Sequence, residues 1–98
     1  MSAYVVANVK VSDPERYKDY AALSPEAVSA AGGEFIVRGG RSEVLEGDWQ
    51  PSRVVILRFE SLQAARAFYD SALYRQARAK RAGATEFFNM FVVEGIHP

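Results

Sequence analysis

Cysteine is absent from this chain and histidine occurs once, as His97. The first absence excludes disulfides, thiolate chemistry and cysteine-based zinc sites. The second leaves a metal or haem without a ligand set, because a metal needs several ligands and His97 stands beside the C-terminus, where chains fray. Net charge is lacking as well: twelve basic and twelve acidic side chains cancel. No overall field therefore draws in nucleic acid, an anionic membrane or a highly charged substrate, and any charged partner has to be recognised locally. No apolar run approaches the ~20 residues that cross a bilayer, and strand-like sequence begins by Ala3, leaving no room for a signal peptide. The expected setting is the cytoplasm. P-loop, Ser-His-Asp and dinucleotide-binding patterns are missing too, so an enzyme built from this chain is expected to work without metal or bound cofactor.

What is present suffices for one domain over residues 1–98, with a single core. Ala3 to Val11 alternates β-branched residues so that Val5, Ala7, Val9 and Val11 share a face, which predicts a first strand. Asp13 followed by Pro14 is a helix start, with a capping carboxylate and a proline where no amide is needed. Tyr17, Tyr20, Ala21, Ala27, Val28 and Ala31 follow one face of that helix, which stops at Gly32 and Gly33. Pro25 inside it predicts a kink or two shorter segments.

A second strand opens at Glu34, with Phe35 and Val37 on one face and Ile36 and Arg38 on the other. Gly39 and Gly40 predict a bulge or bend, after which the strand is expected to resume at Arg41 and end near Glu46. EGDWQPS supplies a turn, and Arg53 to Glu60 is the third strand, with Val55, Leu57 and Phe59 on one face. Ser61 caps a second helix whose apolar stripe is Leu62, Ala65, Phe68, Tyr69, Ala72 and Leu73, and which Gly83 closes. Phe88 to Glu94 is the fourth strand, with either face possible. The order β-α-β-β-α-β is the α+β, ferredoxin-like pattern: four antiparallel strands with both helices on one side. The opposite sheet face carries Tyr4, Val6, Ile36, Val54 and Ile56, interrupted by Asn8, Lys10, Arg38 and Arg58. It is too apolar to be left in water by a monomer of this size, so something must cover it.

The runs GGEFIVRGG, EGDWQPSRVVILRF, ARAFYDSALY and VVEG together resemble domain of unknown function 1330, a family in the dimeric α/β-barrel superfamily. The resemblance spans nearly the whole chain. It implies a homodimer in which the open faces of two sheets meet, and no established activity; the superfamily includes monooxygenases without cofactor, isomerases, haem-degrading enzymes and ligand sensors. Ser71 to Tyr74 reads Ser-Ala-Leu-Tyr where the family usually has Ser-Pro-Glu-Tyr.

The expected function is binding of a small organic molecule, anionic or neutral, at the sheet face by a homodimer. Arg38, beside the double glycine, is the leading ligand contact, because a guanidinium holds a carboxylate through two parallel hydrogen bonds. The alternative is an ion pair with Glu43, Glu46 or Glu94 across the dimer. Asn8 and Arg58 lie on the same predicted face and either line a cavity or satisfy one another. Trp49 is read as a lid over an apolar edge or a dimer anchor, with a substrate platform as the alternative. Tyr69 is read as core, and Tyr74, beyond a break in the second helix, as a hydroxyl directed into a pocket. The basic run Arg75 to Arg81 either complements a helix C-terminus or forms a local anion site. In an enzyme of the monooxygenase or isomerase type, Arg38 would stabilise developing negative charge while Tyr74 or Asn8 oriented the substrate. The remaining alternative is a structural or regulatory dimer with no pocket.

Overall fold

The computed structural model describes residues 1–98. Its elements are β1 (Ala3–Val11), α1 (Pro14–Ala30), β2 (Glu34–Arg38), β3 (Arg53–Phe59), α2 (Leu62–Asp70), α3 (Ala72–Lys80) and β4 (Thr85–Glu94). The strands form one antiparallel sheet in the order β2-β3-β1-β4, as a ferredoxin-like α+β fold requires. The helices cover one face. Beneath them Val5, Leu57, Phe59, Tyr20, Val28, Phe68 and Tyr74 form the core.

Helix α1 begins as the sequence predicts, with the Asp13 carboxylate accepting from the Arg16 amide at 3.2 Å and Pro14 in the first turn. It ends in a Schellman turn: Gly32, at φ 76°, donates to the Ser29 carbonyl and Gly33 to that of Val28. The expected break at Pro25 does not occur, and one helix runs through it. Proline removes the amide that would bond the Ala21 carbonyl, and the Arg38 guanidinium donates to that carbonyl instead, at 3.3 Å.

The second helix is two. Ser71 sits between them in an extended conformation, ending α2 and capping α3: its hydroxyl accepts from the Tyr74 amide at 3.2 Å and donates to the Phe68 carbonyl at 2.7 Å. The interruption resets the helical phase. Ala65 and Phe68 of α2 are buried, as are Tyr74 and Ala77 of α3, whereas Tyr69 and Leu73, expected in the apolar stripe, stand partly in solvent.

Two expectations about β2 are corrected. The strand does not resume at Arg41, because β3 starts at Arg53 and is already used up when Gly39 donates to the Val54 carbonyl; residues 41–46 have no strand left to pair with. Gly39 makes the expected bend, at φ 72°, and a bulge that the sequence does not announce falls earlier, at Ile36, between the pairs Phe35–Leu57 and Val37–Ile56. The extra residue reverses the alternation beyond it. Val37 therefore shares the open face with Ile56, and Arg38, opposite Val55, lies on the helix side.

Strand β4 resolves its own ambiguity through its pairing with β1. Phe88, Met90 and Val92 lie opposite Val9, Ala7 and Val5 and pack on the core, while Phe87, Asn89, Phe91 and Val93 join the open face. That face holds Tyr4, Val6, Val54, Ile56 and Val37 as well, with Phe91 58% and Val93 47% exposed. No helix is long and apolar enough to cross a membrane.

Candidate functional site

The reversal at Ile36 separates the residues that the sequence groups together. Arg38 and Tyr74 are on the helix side of the sheet and Asn8 and Arg58 on the other, so no single cavity is lined by all four. Asn8 and Arg58 do not satisfy each other either. The Asn8 amide oxygen accepts from the Ser52 amide at 2.8 Å, holding the chain as it enters β3. Arg58 donates to the Ser2 hydroxyl, to the Pro98 carbonyl and to Glu34, 3.4 Å away, tying both chain ends to the sheet. Trp49 lies in the loop 39–52 and is 73% exposed, alongside Leu45 at 96%. Within one chain Arg38 makes no ion pair, and its guanidinium lies over the Phe35 ring, 4.4 Å from the centroid.

Under the helices the polar groups gather in a way that alternation alone does not announce. The Tyr74 side chain is buried, and its hydroxyl meets that of Tyr20 at 2.6 Å. Tyr17 stacks on Tyr20 with ring centroids 5.3 Å apart. Burial pushes the Tyr17 hydroxyl above the usual phenol range, opposed by the neighbouring Arg53, and burial together with Tyr74 pushes Tyr20 up further. Both remain protonated at neutral pH and are not bases. These tyrosines, with Arg38 and Arg53, line an inner cavity of about 30 Å³, room for roughly two water molecules.

A larger groove of about 380 Å³ opens between α2 and β4. Its walls include Arg66, Tyr69, Asp70, Phe91 and Arg81, and its floor of Val5, Phe68, Phe88 and Met90 is shared with the inner cavity. Arg81 lies flat on Phe88, its guanidinium carbon 3.7 Å from the ring centroid and 5.2 Å from that of Tyr20. Arg78 covers Tyr69 in the same manner at 4.0 Å. The basic run after Tyr74 is thus partly spent on aromatic faces, where a cation is attracted by the ring quadrupole. No three His, Asp or Glu side chains cluster so as to hold a metal ion.

The sequence places Tyr17 and Tyr20 on the face of the first helix and Arg81 in the basic run without joining them, and it gives Arg53 no role. For Arg53 a signal existed: it shares the parity of Val55, Leu57 and Phe59, so a charge was being directed into the core side of the sheet.

A four-stranded antiparallel sheet with helices on one face defines a ferredoxin-like protein, and solved structures agree on the fold. A protein of unknown function from Rhodopseudomonas palustris is 21% identical, with a TM-score of 0.75 over 99% of this chain and 84% of its own. A dimeric ferredoxin-like protein of unknown function from Jannaschia sp. CCS1 is 14% identical, with a TM-score of 0.72 over 97% and 100%. SnoaB, a cofactor-independent oxygenase from Streptomyces nogalater, is 13% identical, with a TM-score of 0.68 over 99% and 95%. No curated protein matches the chain. At the level of sequence the chain belongs to the family described as Domain of unknown function (DUF1330), whose profile matches residues 2–96.

Proposed function

We propose that the protein acts as a homodimer, paired through its open sheet faces, and binds a small organic molecule in the groove between α2 and β4. The groove carries this reading. Its volume of about 380 Å³ falls in the range of roughly 300–1,000 Å³ typical of small-molecule sites, and a mostly apolar wall with a few polar groups is the usual lining. Arg66 and Arg81 make no ion pair within the chain, which favours a ligand with an anionic group beside an apolar body. Pairing of the open faces is supported by the exposed Phe91 and Val93 and by the dimeric relative from Jannaschia.

An enzymatic reading, as a monooxygenase or isomerase without cofactor, is supported by the likeness in fold to SnoaB. It needs a base to activate a substrate, and the tyrosines of the helix layer, held protonated by burial, do not supply one. Binding is therefore the preferred reading. Native mass spectrometry of freshly purified protein tests it. The expected species is a dimer carrying one small molecule per subunit, lost in Arg81→Gln. A bare dimer leaves the pairing and removes the groove ligand; a bare monomer removes both.

A further inference from the structure

Beside the groove, across the shared floor of Val5, Phe68, Phe88 and Met90, the inner cavity has two arginines in its lining and no carboxylate. Arg38 and Arg53 both face it, and every other lining residue is apolar or a neutral hydroxyl, including those of Tyr17, Tyr20 and Ser24. Neither arginine has an ion pair anywhere in the chain. Arg38 spends one weak bond on the Ala21 carbonyl at 3.3 Å, and the Nε of Arg53 is enclosed with no hydrogen-bond partner at all. Arg53 is half-buried and Arg38 exposed, and with no carboxylate in the lining their like charges are left unbalanced, which an anion between them would relieve.

The backbone is shaped to allow it. Gly39 takes φ 72°, and a Cβ at that position would collide with the Arg53 guanidinium, which lies against the bare backbone there. The bulge at Ile36 turns Arg38 to the same side, where it faces Val55, two residues along β3 from Arg53. Tyr17, whose hydroxyl lies beside Arg53, adds a neutral donor.

We propose that Arg38, Arg53 and Tyr17 form a second binding site, for the carboxylate group of a small organic acid. The space decides between anions. About 30 Å³ accommodates roughly two water-sized groups, which suits a planar three-atom carboxylate and is too small for a tetrahedral phosphate. The planar guanidinium fork favours the same shape. The rest of the acid leaves past the exposed Arg38 toward loop 39–52. The site shares no arginine with the groove, so it stands or falls independently of the groove ligand.

Acetate titration of the dimer, followed by NMR at the Arg53 Nε–H resonance, tests the site. A saturating shift is expected with acetate and none with acetamide or inorganic phosphate. Arg38→Gln is expected to weaken acetate by about tenfold, the loss of one charge-assisted contact, and Arg81→Gln to leave it unchanged. Arg53→Lys, which keeps the charge but not the fork, should likewise bind acetate more weakly, read at the Tyr17 ring signals. A shift that stays linear in acetate, or equal affinity in wild type and Arg38→Gln, overturns the proposal. So does dissociation of the dimer by Arg53→Gln, because the counter-charge would then come from a carboxylate of the second copy. Loss of acetate binding in Arg81→Gln with retention in Arg53→Lys would move the anion to the groove and overturn it as well.

Discussion

The Tyr20 and Tyr74 hydroxyls illustrate how a buried polar pair is held in an apolar layer. Each is the other's hydrogen-bond partner at 2.6 Å, and Tyr20 is also packed edge-on against Phe88 with centroids 5.8 Å apart. Removing one hydroxyl leaves the other enclosed and unpaired, which costs about 1–3 kcal/mol, whereas removing both can be nearly neutral. Urea unfolding of Tyr20→Phe, Tyr74→Phe and the double variant is therefore expected to show two destabilised single variants, with the double variant costing clearly less than their sum. A double variant that costs the full sum would mean that water already serves each hydroxyl separately. Residue by residue, part of this layer was legible beforehand: Tyr17, Tyr20 and the Arg53 parity could be read from spacing. The meeting of Tyr20 with Tyr74, fifty-four positions away, could not, since nothing local links them.

Elements were legible where their signals are local. Asp13-Pro14, Gly32 and Ser61 mark helix ends by satisfying amides and carbonyls within a few residues, and each lies where the sequence puts it. Pro25 does not divide the helix in two, because the cost of an orphaned carbonyl depends on what is near it, and the Arg38 that serves the Ala21 carbonyl comes from β2. The bulge at Ile36 misled more seriously: its existence depends on how β2 is registered against β3, and one extra residue exchanged the faces of Val37 and Arg38. Between α2 and α3 the single residue Ser71 holds two helices at a fixed break. Ser71→Ala removes both the cap on Tyr74 and the bond to Phe68 and is expected to lower stability by about 1 kcal/mol, measured by urea unfolding; Ser71→Asp, which can still cap α3, should recover part of it. Because Tyr74 is the third residue after the cap, loosening of α3 is expected to appear first in its ring resonances.

The whole molecule measures 36 × 35 × 16 Å. With helices on one face only, the sheet is at once the floor of the core and an outer wall, and the wall carries Phe91, Val93 and Ile36 in solvent. Pairing through that wall gives an expected outcome: sedimentation velocity at micromolar concentration should show a single dimeric species, and the thermal midpoint should rise as the protein is concentrated from ~1 to ~100 µM. A monomer across that range, with a constant midpoint, would show that the face is covered otherwise. The thinness of the plate then has a consequence for the chain's life in solution. A body of two layers cannot surround its own sheet, so in the proposed dimer half of what shelters β1 to β4 arrives by collision with another chain. For the proposed dimer dilution acts as a denaturant, and a subunit newly made at low abundance would wait, half sheltered, for its twin.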